Sequence, residues 1–169
     1  MGKLSYPYLS YAGDGGSPSL EVTLLGTNGY EHQTLALIDT GAEWSILPTP
    51  LAVELGAELR SEFCQPTHTQ HAGGLSQVHW WSGASDVAQR EELRVRFGDF
   101  EAPLAPILEP GITVVVLGRT DFLASFLLTI DQRAQRFLLE PYKEPVSQWY
   151  GKSRDVEPAR ESGSWPQSR

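Results

Sequence analysis

Apolar and polar residues alternate along much of the chain, which is the pattern of half-buried β-strands. Residues 20–24 place an apolar side chain at every second position, and the Asn28-Gly29 pair that follows is a typical hairpin turn. Residues 92–97 repeat the pattern and lead into a turn at Gly98-Asp99. With twelve prolines and sixteen glycines in the chain, this alternation predicts a turn-rich, all-β fold rather than a helical bundle.

Continuous apolar runs predict additional, more deeply buried strands. Residues 35–38 and 113–117 are runs of this kind. Residues 127–130 and 137–139 are expected to pair with each other around a turn at residues 131–135. These runs and the alternating segments together account for most of the predicted sheet.

Two short helical segments are expected between the strands. Thr49 is predicted to cap the first, with Pro50 at the first helical position and an end near Gly56. The second is expected after Gly118 and runs through Phe122-Leu123.

Composition divides the chain into three parts. Residues 1–17 are aromatic and then glycine-rich, and are interpreted as an outer strand followed by a linker. Residues 18–142 carry nearly all of the periodic apolar pattern and form one predicted domain, as expected for a chain of 169 residues. Residues 143–169 contain few aliphatic side chains and are predicted to be a flexible C-terminal tail, although the aromatic residues Trp149, Tyr150 and Trp165 leave docking of this tail open.

Charge and cysteine content exclude several classes of protein. The formal net charge is −8 and the basic residues form no stripe, so nucleic acid is not an expected partner. Cys64 is the single cysteine, which rules out an intrachain disulfide, and its neighbours do not resemble those of a catalytic thiol. No apolar run approaches the ~18 residues of a membrane span, and the N-terminus lacks the apolar core of a signal peptide. The predicted location is the cytoplasm, without membrane contact.

The candidate chemistry lies where the apolar run 35–38 ends. Asp39 follows this run directly, Thr40-Gly41 forms a tight turn, and a second apolar strand begins at residue 44. A rigid strand that ends in this way points a carboxylate out of the sheet, and a glycine after it lets another carboxylate approach closely. An Asp-Thr-Gly sequence alone also fits an ordinary Asx turn at the end of a strand.

A second segment, about eighty positions further along, favours the chemical interpretation. Residues 114–119 read Val-Val-Val-Leu-Gly-Arg, and Asp-Phe-Leu follows at residues 121–123. Together with Asp-Thr-Gly-Ala at residues 39–42, this segment resembles the retropepsins, the single-domain aspartic peptidases of retroviruses and their cellular and bacterial relatives. The resemblance covers roughly residues 18–141. It implies a closed β-barrel of the retropepsin type, with one short helix after the glycine of the second segment.

The resemblance implies roles for the residues of the first segment. Asp39 would be the catalytic aspartate, and Thr40 would interlock the active-site loops of two subunits. Gly41 would line the substrate channel with its backbone, with Ala42 completing the turn.

Residues of the second segment would brace the first. Gly118 would let the second loop pass beneath the first, and Arg119 would hold it there. In the family this arginine often pairs with an acidic residue just after the Asp-Thr-Gly-Ala turn, which predicts an ion pair between Arg119 and Glu43. Asp121 and Asp131 are interpreted as a helix-start residue and a turn residue, not as catalytic residues.

Retropepsins also cover the cleft with a glycine-rich hairpin. The best candidate for this flap is residues 67–81, with Ala72, Gly73 and Gly74 at its tip, although it is poorer in glycine than viral flaps. The segment carries His68, His71 and His79, but their spacing matches no structural zinc pattern, so no metal site is predicted. The adjacent pair Trp80-Trp81 fits either specificity pockets or the core.

The predicted function is endopeptidase action by a homodimer. Peptide hydrolysis by this chemistry needs two carboxylates that share one proton, and this chain has one Asp-Thr-Gly and no internal repeat. The second Asp39 must therefore come from another subunit across a twofold axis. No cofactor is required, and activity is expected to be strongest below neutral pH. The alternative is a non-catalytic dimerisation or peptide-binding module on the same fold.

Overall fold

The mostly-β prediction is confirmed. The computed structural model describes residues 4–9, 16–59, 64–71, 74–81 and 93–142, and within residues 64–81 Val78 is the side chain described. In chain order the strands are β1 (Leu4–Pro7), β2 (Ser19–Leu25), β3 (Glu31–Ile38), β4 (Ile46–Pro48), β5 (Cys64–His71), β6 (Gly74–Trp81), β7 (Arg94–Phe97), β8 (Phe100–Pro103), β9 (Ile107–Glu109), β10 (Val115–Leu117), β11 (Phe126–Asp131) and β12 (Arg136–Pro141). The predicted C-terminal tail, residues 143–169, lies outside the described residues.

The α-helix α1 (Thr49–Glu54) lies where the sequence predicts it, but the prediction that Thr49 caps it is wrong. Pro48 occupies the N-cap position and makes no capping hydrogen bond through its side chain. The chain enters the helix directly from the end of β4, so the residue before the first turn is a proline and Thr49 is already helical. In the described part of the chain the buried Thr49 hydroxyl has no hydrogen-bond partner.

The second predicted helix is a single 3-10 turn, Leu123–Ser125. Aromatic side chains pack this turn against strands β7 and β8. Phe97, Phe100, Phe122 and Phe126 pack with ring centroids between 4.6 and 5.8 Å apart. Each buried aromatic ring of this kind stabilises the fold by roughly 2 kcal/mol, so the segment after Gly118 is firmly anchored.

The strands form two sheets. The larger has nine strands in the order β5-β6-β9-β4-β10-β3-β2-β7-β8, and the smaller has three in the order β1-β12-β11. The predicted hairpin turns are present, with glycine in the left-handed region at Gly29 (φ 80°) and Gly98 (φ 51°). The predicted pairing of the two last strands is also present, with Leu128 opposite Leu139.

The nine-stranded sheet is curled into a half-barrel around the core. Its inward face follows the alternation in the sequence: Leu20, Val22 and Leu24 of β2 are all buried. Strands β5 and β8 end the sheet, and no ladder between the described strands joins them. Closure into a complete barrel therefore stays a prediction. Among the described residues, no helix has the length and apolar character that a membrane crossing requires.

Candidate active site

Strand β10 is inserted between the two strands that flank the Asp-Thr-Gly turn. It pairs in parallel with β3, with Leu117 opposite Ile38, and antiparallel with β4, with Val116 opposite Ile46. The chain between β3 and β4 therefore has to leave the sheet, pass around the end of β10 and return. This wide loop, residues 39–45, carries Asp39 at its start.

Asp39 is fixed to β10 through its backbone. Its N–H donates to the carbonyl of Leu117 at 3.1 Å, and the N–H of Ile38 donates to the carbonyl of Pro18 at 2.7 Å. The end of β3 is therefore hydrogen-bonded on both sides, to Pro18 and to Leu117, next to the position of the Asp39 carboxylate. The side chain of Asp39 is half-buried at the end of this rigid strand.

The carboxylate of Asp39 also shapes its own turn. Its Oδ1 accepts the N–H of Gly41 at 2.7 Å, and a Cβ at position 41 would lie 3.1 Å from the same oxygen. That separation is tighter than ordinary van der Waals contact, so Gly41 allows the carboxylate to sit over the turn. Thr40 and Gly41 are exposed in the single chain.

Gly118 lies where the loop 39–45 crosses the end of β10. A Cβ at this position would lie 2.6 Å from the backbone nitrogen of Ser45 and closer still to the carbonyl group of Trp44. Only a residue without Cβ fits under this crossing. The structure therefore brings the two segments singled out in the sequence into direct backbone contact.

Backbone hydrogen bonds continue this contact beyond Gly118. The N–H of Arg119 donates to the carbonyl of Ala42 at 3.1 Å, and the N–H of Thr120 donates to the carbonyl of Glu43 at 2.8 Å. Arg94–Glu101 and Arg96–Glu31 are ion pairs of the described residues, and the predicted pair between Glu43 and Arg119 is not present there. Both of these side chains are exposed, so main-chain bonds and not the expected charges join the two segments.

Sequence reasoning missed two polar residues behind this crossing, Ser45 and Asp121. Both are buried, with exposed fractions of 0% and 3%. The Oδ1 atom of Asp121 accepts the N–H of Ser45 at 3.0 Å and its hydroxyl at 2.8 Å. In the sequence Asp121 looks like a helix-start residue, and the one available signal was its position directly before the apolar pair Phe122-Leu123.

Burial raises the pKa of the Asp121 carboxyl above its ordinary value, and the hydrogen bonds from Ser45 lower it by less. At a pH below the ordinary pKa of an aspartate, Asp121 is protonated in both the folded and the unfolded chain. Its contribution to stability is then fully present. As the pH rises the unfolded chain loses its proton first, so this contribution is lost as the pH passes through the raised pKa of the folded state.

We therefore expect the stability of the wild type to fall relative to Asp121→Asn as the pH rises. The asparagine does not titrate, and the contributions of all other titratable groups cancel when the free energies of unfolding of the two proteins are subtracted. Urea unfolding of both proteins between about pH 4 and about pH 7 measures this difference in free energy. A difference in the free energy of unfolding that stays constant with pH would contradict the raised pKa of Asp121.

The candidate flap is a β-hairpin. Strands β5 and β6 pair antiparallel from Cys64 opposite Trp81 to His71 opposite Gly74, and β6 continues onto β9. Gly74 of the predicted tip begins β6, while Ala72 and Gly73 lie outside the described residues, as do the side chains of the three histidines. The hairpin therefore begins three residues before the predicted segment and ends with it at Trp81, at one edge of the large sheet.

Two grooves of the described structure are lined by residues other than Asp39. A groove of about 700 Å³ is lined by β2, β3 and the β7–β8 turn, and a neighbouring one of about 310 Å³ adds Tyr6 and Pro7 of the N-terminal strand. Glu21, Phe97 and Gly98 line both grooves. Neither groove includes Asp39, a half-buried residue at the start of the loop 39–45.

Comparison with known proteins identifies the fold. No protein-family model and no curated protein sequence matches the chain. A retropepsin-like aspartic protease from Rickettsia conorii is similar in structure, with a TM-score of 0.52 and 18% identity over 82% of this chain and 90% of that chain. EIAV protease, solved with the inhibitor HBY-793, has a TM-score of 0.44 and 20% identity over 66% of this chain and 88% of that chain. The similarity to the Rickettsia protein confirms at the level of the fold the resemblance that the two sequence segments indicate.

Proposed function

We propose that this chain, which has the fold of the retropepsin-like proteases, is one subunit of a homodimeric aspartic endopeptidase. The observation that carries the proposal is the placement of Asp39. A half-buried carboxylate stands at the end of a central strand, and its backbone is tied to β10 by the bond to Leu117. A carboxylate held on rigid strands in this way is positioned for chemistry and not only for a turn.

In the proposed dimer the two Asp39 side chains meet on the twofold axis. Two carboxylates about 3 Å apart cannot both ionise, so the pair holds one proton over a wide pH range. The unprotonated carboxylate takes a proton from a water molecule as that water attacks the scissile carbonyl, and the protonated one donates a hydrogen bond to the carbonyl oxygen. The proton then passes to the leaving amine as the peptide bond breaks.

The exposed residues of the turn support this arrangement. Thr40 and Gly41 are open to solvent in the single chain, as expected for residues that meet a second subunit or a substrate. We assign Thr40 to the contact between the two turns and Gly41 to the substrate channel. Ala42, Glu43 and Arg119 keep a supporting role, which the backbone bonds from the segment after Gly118 to Ala42 and Glu43 favour.

The hairpin of β5 and β6 is the proposed flap. Among the described strands it pairs with the rest of the large sheet only through β9, so most of its length projects beyond the sheet. A hairpin attached at one end is able to close over an extended peptide and exclude water from the cleft. The tip at Ala72, Gly73 and Gly74 keeps its predicted role in this proposal.

The function is tested by cleavage of an unfolded protein substrate between about pH 4 and about pH 7, over a range of enzyme concentrations. We expect cleavage below neutral pH and an activity per chain that rises with concentration until dimers dominate, as measured by analytical ultracentrifugation. A sample that is dimeric and cleaves nothing at any pH would instead favour a dimerisation or peptide-binding module on the same fold.

The outer edge of the three-stranded sheet is the proposed dimer contact. Strand β11 lies at that edge, and Leu127 and Ile130 of this strand and the nearby Tyr142 are 49%, 42% and 57% exposed. Edge strands are usually protected by proline or by charge, but β11 has no proline and its single charged residue is its last, Asp131. An unprotected edge of this kind pairs readily with another strand, and a second copy of the chain supplies an identical one.

Leu127→Lys is therefore expected to weaken the dimer by roughly 10- to 100-fold, the effect of losing one buried leucine contact. Sedimentation equilibrium of the variant and the wild type gives the dissociation constants. Val53→Lys is the matched control, because Val53 on α1 is 48% exposed and lies outside the proposed contact. Equal dissociation constants for Leu127→Lys and the wild type would place the dimer contact elsewhere.

A further inference from the structure

Asp121 is a buried carboxylate with a specific set of hydrogen bonds. It follows the Gly118-Arg119-Thr120 turn and is 3% exposed. Three donors point at it: the N–H and hydroxyl of Ser45 reach Oδ1, and the N–H of Ala105 reaches Oδ2 at 3.3 Å. No charged side chain contributes to this set among the described residues, so Asp121 serves here as an acceptor for other segments of the chain.

The hydroxyl of Ser45 links Asp121 to the end of β10. Ser45 Oγ accepts the N–H of Gly118 at 3.0 Å, and its own proton is therefore directed to Asp121 Oδ1, 2.8 Å away. The carbonyl of Ser45 also accepts the N–H of Ile107 at 2.8 Å. Ser45 thus uses its hydroxyl and both backbone groups to join three segments: the loop 39–45, the strand β10 and the chain entering β9.

This hydrogen-bond chain ends next to Asp39. Gly118, which Ser45 holds from one side, directly follows Leu117, whose carbonyl accepts the N–H of Asp39 at 3.1 Å. A shift of Gly118 therefore moves the carbonyl that fixes the backbone of Asp39. Displacements of about 1 Å at a reacting group lower rates by roughly 100-fold, so the position of this carbonyl matters for the proposed chemistry.

We propose that Asp121 is a positioning residue for Asp39, acting through Ser45 and Gly118 to fix the distance between the loop 39–45 and β10. This inference rests on the proposed peptidase function. A role in stability alone is the weaker explanation, because burying a carboxylate opposes folding and an apolar side chain of similar size serves a core at least as well. A carboxylate gives instead two fixed acceptor oxygens that align three donors from different segments.

The test compares Ser45→Ala, Asp121→Asn and the double variant with the wild type, using kcat and KM on the unfolded protein substrate. We expect each single variant to lower kcat by roughly 10- to 100-fold and to change KM by less than about twofold, because geometry and not substrate binding is altered. The double variant should lose about as much as one single variant, since both changes disrupt the same set of hydrogen bonds. Ser45→Ala removes the hydroxyl, and Asp121→Asn replaces one of the two acceptor oxygens with an NH2 donor that faces the N–H donors of Ser45 or Ala105.

Asp99→Asn is the matched control. Asp99 is an exposed aspartate in the turn between β7 and β8, outside the proposed dimer contact. It should keep the kcat and the KM of the wild type. Wild-type kcat in folded Ser45→Ala and Asp121→Asn, or losses that simply add in the double variant, would overturn the proposal.

A second measurement separates this inference from the proposed function. Hydrogen exchange of the Gly118 amide, followed by NMR in the full chain, should be at least about 10-fold faster in Ser45→Ala and Asp121→Asn than in Asp99→Asn. If the wild type cleaves nothing but this acceleration is present, the peptidase proposal fails while the hydrogen-bond chain stands. Unchanged protection of Gly118 would refute the positioning role whatever the activity.

Discussion

Asp39→Asn is expected to abolish peptide cleavage while leaving the fold and the dimer intact. Asparagine cannot take up the proton of the attacking water, and loss of a general base of this kind lowers rates by roughly 100- to 10,000-fold. The amide oxygen of asparagine can still accept the N–H of Gly41, a bond of 2.7 Å in the wild type, so the turn keeps its shape. Cleavage of the unfolded protein at the pH of highest wild-type activity measures the loss.

The control for this substitution is Asp99→Asn, which makes the same chemical change in another turn. Asp99 is exposed in the turn between β7 and β8 and lies outside the proposed dimer contact. Full activity in this control and none in Asp39→Asn would assign the reaction to position 39. Equal activity in Asp39→Asn and the wild type, from samples shown free of contaminating peptidase, would exclude the aspartic mechanism.

Mixing the two proteins tests whether each dimer needs both carboxylates. With a tenfold excess of Asp39→Asn and free exchange of subunits, roughly one in eleven wild-type chains finds a wild-type partner. Activity per wild-type chain should therefore fall to about that fraction. Unchanged activity in the mixture would mean that a single Asp39 suffices or that the subunits do not exchange, and the dissociation constant from sedimentation distinguishes these outcomes.

Much of the fold was predictable because its signals are local. The alternation at Leu20, Val22 and Leu24 needs only one buried face, and each of these side chains is buried. The turns at Asn28-Gly29 and Gly98-Asp99 follow from the conformations that glycine permits, and both glycines have positive φ. These features depend on neighbours within a few positions, which is the range that a sequence pattern describes.

The candidate site was predictable as two segments but not as a network. The Asp-Thr-Gly turn and the Leu-Gly-Arg segment stand about eighty positions apart, and a family resemblance was needed to bring them together. The expected bond between them was an ion pair of Glu43 and Arg119, whereas the structure joins them through backbone groups and through Ser45 and Asp121. Backbone hydrogen bonds do not depend on side-chain identity, and a single serine or aspartate does not indicate a partner so distant in the chain.

Gly118→Ala is expected to disrupt the site more than the addition of a methyl group at any other glycine. The added Cβ would meet the backbone of Trp44 and Ser45, with the nitrogen of Ser45 only 2.6 Å away, and backbone atoms cannot rotate out of the way as a side chain does. Overpacking of this kind lowers the free energy of unfolding by roughly 1–3 kcal/mol. The relief of the clash also moves Leu117 and with it Asp39, so the remaining folded protein should lose about 100-fold in kcat.

Gly111→Ala is the matched control, since nothing lies within 4 Å of a Cβ at that position and its φ is not in the left-handed region. Alanine there should be neutral or should stabilise the protein by a few tenths of a kcal/mol, because it restricts the unfolded chain. Urea unfolding measures the stability of both variants, and cleavage of the unfolded protein substrate measures their kcat. If Gly118→Ala unfolds and cleaves like Gly111→Ala, the loop 39–45 is able to move away from β10 without consequence, and the rigid placement of Asp39 on which the proposed mechanism depends would have to be abandoned.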